Sequence, residues 1–293
     1  MLTWEKDMTN HREIELKRGV VHAVEAGEES KQPILFLHGW PQNWRAYERI
    51  LELAGWEYHA IAIDLPGVGK SLFPDAPFVK DDIAVVIRET VEALGLSKPV
   101  IVGHDVGGQI TYSYLHRYAE ETSAGVIMDV VIPGIEPWEE VLRNPYLWHF
   151  AFHSIPDLPE ALVSGKQSAY FEFFYRTIAA HPERISSEAK EDYIGAYREE
   201  GALSTGFNWY RGFAEDARRN GALAEANAKV MVPVLYLRGE RSGGDLDAYA
   251  AGLTDGGLVN LRTERIDDTG HFITEEQPDA VWDTIRRFIV EFV

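Results

Sequence analysis

The stretch KPVIVGHDVGGQITYSYL (98–115) decides the fold. It opens as a β-branched apolar run, passes through small residues, and continues with apolar residues at helical spacing. Strand, tight turn and helix in that order form the unit of a parallel sheet covered by helices. In such a sheet ligands sit at the carboxyl ends of the strands. Gly103 and Gly107 flank the turn, so the chain can bend sharply and push the Asp105 side chain into that cleft. This is the pattern of a nucleophile elbow, G-x-S-x-G, with Asp in place of Ser. Taken alone, the same residues also fit an Asp that merely caps the next helix.

The unit recurs along the chain. PILFLHG (33–39), YHAIAIDLPG (58–67), AGVIMDVVIP (124–133), MVPVLYLRGE (231–240) and LVNLRTERID (258–267) read as further buried strands. Such near-continuous apolar runs suit a mostly parallel sheet covered on both faces. DDIAVVIRETVEAL (81–94), GGQITYSYLHRYAE (107–120) and PDAVWDTIRRFIVEF (278–292) read as flanking helices, the last with Pro and Asp at its start. One segment breaks the rhythm. From 134 to 220 helical patterns dominate, and 16 of the 34 aromatic residues fall there. An aromatic helical insertion after a strand end reads as a cap over a pocket, although many of its rings must also fill its own core. The expected division is a core of 1–133 and 221–293 with a helical cap of 134–220.

Composition excludes several classes. At ~150 residues per domain, 293 residues make one large domain or two smaller ones. Against 28 Lys and Arg stand 47 Asp and Glu, a formal charge of −19 that repels phosphate backbones and anionic lipid heads. No nucleic-acid or membrane partner is therefore expected. Without Cys there is no disulfide scaffold, thiolate metal site or thiol nucleophile. The charged start MLTWEKDMTNHREIE has no apolar core for a leader, and no apolar run approaches the ~18 residues of a membrane helix. These features lead us to expect a soluble cytoplasmic chain. The ten His residues show no HExxH motif, so no metal site is expected. Neither the G-x-G within DLPGVGKS (64–71) nor any other stretch makes a dinucleotide fingerprint, and no cofactor is implied.

Context favours a chemical role for Asp105. His38-Gly39-Trp40-Pro41 follows the strand PILFL. The backbone N–H of Trp40 and that of Val106, just after Asp105, are placed to form an oxyanion hole. Asp268-Thr269-Gly270-His271-Phe272 lies between the last strand and the last helix, where His271 can reach over Asp105 as a base. A carboxylate that attacks a strained or activated carbon forms an ester, which a base-activated water can hydrolyse. An amide or ester substrate would instead give an anhydride.

With these elements in order, the chain resembles the α/β-hydrolase family, and within it the branch of epoxide hydrolases and dehalogenases that uses an Asp nucleophile. HGWP (38–41) is similar to the H-G-x-P element of epoxide hydrolases, GHDVGG (103–108) to their nucleophile turn and DLPGVGKS to their Gly-rich loop. The resemblance runs from about residue 15 to 293. It implies an α/β-hydrolase fold with a cap, and a hydrolase acting on the ether bond of an epoxide through an alkyl-enzyme ester on Asp105. His38, Pro41, Trp148 and Phe150 are expected to line the substrate pocket.

Two acids compete to orient His271. Asp129 ends the strand GVIMDVVIP, and Asp245, with Asp247 and Glu240 nearby, follows the strand VLYLR. Many hydrolases place the acid after that later strand. Fluoroacetate dehalogenases and the Cif subgroup of epoxide hydrolases place it where Asp129 stands, and the Gly-rich RSGGD loop (241–245) reads as a solvated turn. The resemblance therefore favours Asp129. An opening epoxide also needs O–H or N–H donors opposite the nucleophile. FNWYR (207–211) resembles the cap motif carrying a ring-opening Tyr, here Tyr210. LWHF (147–150), with SGK (164–166) downstream, is similar to the Cif subgroup, where a His replaces the second Tyr, here His149.

The departures are informative. Fluoroacetate dehalogenases carry Arg where this chain has Val106 and Gln109, and a halide-binding Trp where it has Phe150; haloalkane dehalogenases place Trp at Val106. The Cif pattern has Glu where this chain has Asp129, which leaves the orienting acid open between Asp129 and Asp245. The expected activity is hydrolysis of an apolar or aryl epoxide to a vicinal diol. A haloacid or haloalkane dehalogenase is the alternative, and a non-catalytic ligand-binding member a second. The resemblance also allows a homodimer through the cap.

Overall fold

The computed structural model describes residues 9–199 and 201–293. Residues 1–8, the start of the charged N-terminal stretch, lie outside the described residues. Eight strands form one sheet: β1 (Asn10–Leu16), β2 (Gly19–Ala26), β3 (Pro33–Leu37), β4 (His59–Ile63), β5 (Val100–His104), β6 (Ala124–Met128), β7 (Val234–Gly239) and β8 (Leu261–Ile266). Their order is β1-β2-β4-β3-β5-β6-β7-β8. β1 and β2 pair antiparallel, as do β2 and β4; all later neighbours are parallel. β3 to β7 are buried throughout, which explains their unbroken apolar runs.

Before the insertion, the helices are α1 (Glu48–Ala54), α2 (Lys80–Ala93) and α3 (Val106–Tyr118). The insertion contributes α4 (Trp138–Leu142), α5 (Trp148–Ser154), α6 (Leu158–Val163), α7 (Gln167–Ile178), α8 (Ser187–Ala196), α9 (Ala202–Arg211) and α10 (Phe213–Glu225). After it come α11 (Leu246–Asp255), α12 (Ile273–Glu276) and α13 (Pro278–Phe292). α2 packs on α3 and α1 on α13, and these pairs shield the sheet. Among the described residues no helix is long and apolar enough to cross a membrane.

The structure departs from the sequence reading in three places. The N-terminal hairpin was not legible: β1 alternates charge with a single buried position, Ile14, because it is an antiparallel edge strand with exposed flanks. The strand expected over 124–133 stops at Met128, because Asp129 turns to φ 47° and leaves the ladder. The helical insertion runs past residue 220, since α10 continues to Glu225; a division at 220 would cut a helix.

Candidate active site

The site is assembled at the carboxyl ends of β3, β5, β6, β7 and β8. At the end of β5 the chain turns through Asp105 with φ 51° and ψ −122°. A non-Gly residue in this region is strained by ~1–3 kcal/mol, which the surroundings must hold in place. They do so by close approach. A Cβ on Gly103 would lie 2.1 Å from the Gly107 carbonyl, and one on Gly107 would lie 2.1 Å from the Leu37 carbonyl. Only glycine at both positions lets α3 start so tightly against β3 and β5. Asp105 precedes α3, yet its side chain caps no helix N–H. Its Oδ1 accepts instead from the Trp40 N–H at 2.8 Å. The capping alternative is thereby set aside by geometry.

His271 stands on the other side of Asp105, with Nε2 at 3.7 Å from Asp105 Oδ2. That separation exceeds a hydrogen bond, so Nε2 is not locked to the carboxylate. Its Nδ1–H donates to Asp129 Oδ2 at 2.7 Å. Asp129 also accepts from Ser242 Oγ at 2.9 Å and from the Gly239 N–H at 3.2 Å, and Arg238 lies 3.9 Å away. Burial alone would push the Asp129 carboxyl up, but the His271 hydrogen bond and the Arg238 charge outweigh it and hold it below the usual carboxylate range. Burial likewise opposes a charge on His271, but the bond to Asp129 and the charges of Asp129 and Asp105 raise its pKa above 6.5.

Of the two competing acids, Asp129 touches His271. Asp245 caps α11, accepting from the Asp247 N–H at 3.1 Å. The RSGGD loop is more than a solvated turn: Ser242 binds Asp129, and the Gly243 carbonyl accepts from Arg238 at 2.8 Å.

A cavity of about 910 Å³ opens above these residues. Trp40, Asp105, Val106, His149, Phe150, Tyr210 and His271 all line it. Tyr210 and His149 come from α9 and α5, which pack together. Among the described residues neither side chain has a hydrogen-bond partner in the protein. Burial and the Asp105 charge push the Tyr210 phenol up, so it keeps its proton. Burial and the nearby His271 push His149 down to about 3, so its ring is neutral and can offer a single N–H. Trp40 forms the floor beneath this aromatic wall, with ring centroids 5.8 Å from Tyr210 and 4.9 Å from Phe174.

Three residues expected in the pocket are not on its lining. His38 is fully buried below it: its Nδ1–H donates to the Gly39 carbonyl at 2.9 Å, and its Nε2 accepts from the Leu65 N–H at 3.0 Å. It ties the loop after β3 to the loop after β4. Pro41 offers its carbonyl to Tyr175 Oη at 3.0 Å. Trp148 precedes His149 on α5; neighbours on a helix point about 100° apart, so with His149 inward Trp148 faces out and is 42% exposed.

The sequence reading missed several supports. His104 precedes Asp105, and its Nε2–H donates to the His271 carbonyl at 2.8 Å. Burial and the His271 charge push His104 down to about 4, which keeps it neutral. Arg238 and Ser242 lie more than 100 residues from Asp129 in the chain, and nothing in their local pattern announces the contact. Among the described residues no group of three or more acidic, His or Cys side chains is arranged to hold a metal.

Known proteins agree with this architecture. The profile of the alpha/beta hydrolase family matches residues 34–284. A soluble epoxide hydrolase of Corynebacterium sp. (strain C12) is 30% identical over 275 residues, covering 92% of this chain and 93% of that one. The structure is similar to Cfl2 of Burkholderia cenocepacia, with TM-score 0.87, 31% identity and coverage of 96% and 95%. It is also similar to the epoxide hydrolase CorEH, with TM-score 0.86, 29% identity and coverage of 97% and 100%. With Asp105 at the elbow, His271 beside it and this likeness along nearly the whole chain, the protein belongs to the alpha/beta hydrolase family and is an epoxide-hydrolase-like member of it.

Proposed function

We propose that the protein hydrolyses apolar or aryl epoxides to vicinal diols through an ester on Asp105. One observation carries the reading: a carboxylate held by a backbone N–H shares a cavity with two neutral donors, Tyr210 and His149, and with a carboxylate-oriented His. The helices between β6 and β7 act as the cap that brings those donors. The relatives named epoxide hydrolase support the same chemistry.

In the first step Asp105 Oδ2 attacks an epoxide carbon, because Oδ1 is already engaged by Trp40. The ring C–O bond breaks, and the released oxygen takes the Tyr210 proton while His149 donates a hydrogen bond. In the second step His271 Nε2 takes a proton from water, and the hydroxide adds to the Asp105 carbonyl carbon. Negative charge gathers on Oδ1, where the N–H groups of Trp40 and Val106 stabilise it. The ester C–O bond breaks, His271 protonates the leaving oxygen, and the proton left on Asp105 restores the Tyr210 phenol. The sum is epoxide plus water giving diol.

A dehalogenase for haloacids would need cations beside Asp105 for the substrate carboxylate. Val106 and Gln109 occupy the adjoining wall, and the Gln109 amide donates to the Val131 carbonyl at 3.1 Å. Arg238 is turned to Asp129 and the Gly243 carbonyl.

A diol-release screen across aliphatic, styrene-type and polycyclic epoxides, with fluoroacetate in parallel, tests the activity. His271→Gln should accumulate an adduct of the whole substrate mass on Asp105, and Asp105→Ala should form none. In ¹⁸O-water the first turnover should label the enzyme and leave the diol unlabelled. Labelled diol on the first turnover, with no adduct in the His271 variant, would mean direct attack of water and overturn the ester. Diol-free binding of epoxides would indicate a ligand-binding member, and fluoride release a dehalogenase.

A further inference from the structure

Glu276, the last residue of α12, is a carboxylate the reaction above does not use, and it is 3% exposed. Among the described residues it makes no ion pair. Its charge is met by four backbone N–H groups. Gly270 donates to Oε1 and Oε2 at 3.1 and 3.0 Å, and Phe272 to Oε1 at 3.2 Å. Ala180 and His181 donate to Oε2 at 2.8 and 2.9 Å. The first two residues flank His271; the other two follow α7 in the helical insertion. Between the two pairs, the His271 N–H donates to the Ile178 carbonyl at 2.9 Å. The contact is tight, because a Cβ on Gly270 would lie 2.4 Å from the Ala180 nitrogen.

We infer that Glu276 is a positioning residue for hydrolysis of the ester: one buried carboxylate clamps the backbone on both sides of His271 to the end of α7. The inference rests on the epoxide reading above and adds a division of labour to it. Charge-assisted hydrogen bonds are the strong ones, and those from Gly270 and Phe272 on one side and Ala180 and His181 on the other tie the His271 loop to the end of α7 and so fix where the imidazole root sits. Nε2 must present itself to a water at hydrogen-bond distance from the ester carbon, and an error of about 1 Å can cost ~10²-fold. Asp105 depends on none of these bonds. Its place is set by the elbow and by Trp40, so alkylation should be indifferent to Glu276.

The test is Glu276→Gln assayed with styrene oxide. The amide keeps the shape but offers one acceptor oxygen and turns an NH₂ toward N–H donors. Single-turnover hydrolysis of the ester should slow by ~10- to 10²-fold. kcat and KM should fall together, kcat/KM should stay within about twofold, and the adduct on Asp105 should accumulate during turnover. Glu276→Asp, which keeps the charge but shortens the reach, should show the same split more weakly, and it decides the matter if the amide does not fold. A variant that loses kcat/KM along with kcat and accumulates no ester would overturn the assignment, as would ester hydrolysis at the wild-type rate. If the wild type forms no ester, the proposed function fails instead.

Discussion

The floor and the roof of the cavity are built from opposite materials. The floor is ionic and fixed by backbone. Asp105 is held by Trp40 N–H, Asp129 by Gly239 N–H and Ser242, and the His271 segment by Ile178, His104 and Glu276. The roof is neutral and aromatic: Tyr210 packs against His153 at 4.4 Å, Phe213 at 5.1 Å and Phe150 at 5.6 Å between ring centroids. A carboxylate nucleophile needs a site that tolerates its charge before and after each turnover. An opening ring needs a proton that stays on its donor until the C–O bond stretches. Burial and the Asp105 charge supply the second condition by pushing the Tyr210 phenol up.

The contrast can be broken most severely at the floor. Asp129→Asn keeps the shape but removes the charge that orients and favours imidazolium, and kcat should fall ~10³- to 10⁴-fold. In the proposed reaction alkylation precedes the His271 step, so kcat/KM should fall far less and the ester should accumulate. Equal losses in both parameters would place Asp129 in the first step as well.

The seam between floor and roof is the next target. Lys80 of α2 is buried, pairs with Asp216 of α10 at 2.8 Å and donates to the Trp209 carbonyl, next to Tyr210. Lys80→Ala leaves Asp216 buried without its partner, which should cost ~3–5 kcal/mol in urea unfolding. Replacing both Lys80 and Asp216 with apolar residues of similar size should recover much of it. A loss under ~1 kcal/mol would show that water reaches Asp216 readily.

At the roof, Tyr210→Phe should lower single-turnover alkylation by ~10²-fold and leave hydrolysis of a preformed ester unchanged. His149→Phe should act in the same direction. In the proposed reaction both serve one oxygen, so the double change should cost less than the product of the single factors. An unchanged alkylation rate in Tyr210→Phe would reduce that residue to packing.

The smallest effect sharpens the electrostatics. His271 must be neutral to accept a proton from water, so ester hydrolysis should rise with pH through its pKa. In the free protein that value lies above 6.5, in part because Asp105 is charged. Esterification removes the Asp105 charge, so the rising limb for ester hydrolysis should lie below the His271 titration of the free protein, followed by NMR. A limb at or above the free value would mean that another group controls the step.

Much of this is legible in the sequence. The apolar runs of β3 to β7 announced a parallel sheet, because strands buried on both faces need no polar alternation. The small residues around Asp105 announced the elbow, because close backbone approach leaves a local trace in residue size. The DTGHF stretch placed His271 at a strand end for the same local reason. The β1–β2 hairpin was not legible, since an exposed edge strand is selected for solvation as much as for pairing.

Tertiary structure decided what sequence distance hides. The family resemblance favoured Asp129 over Asp245 but left the choice open; strand order sets β6 beside β7 and brings Asp129 within 2.7 Å of His271. Helix phase turned His149 inward and Trp148 out, although both belong to one motif. His38 and Pro41 proved to brace the loops below the cavity, and Arg238, Ser242 and Glu276 entered the site's support with no motif at all. A local sequence can specify a turn or a buried strand because those depend on neighbouring residues; it cannot specify which distant hydrogen-bonding groups will meet, because that depends on how all the elements pack.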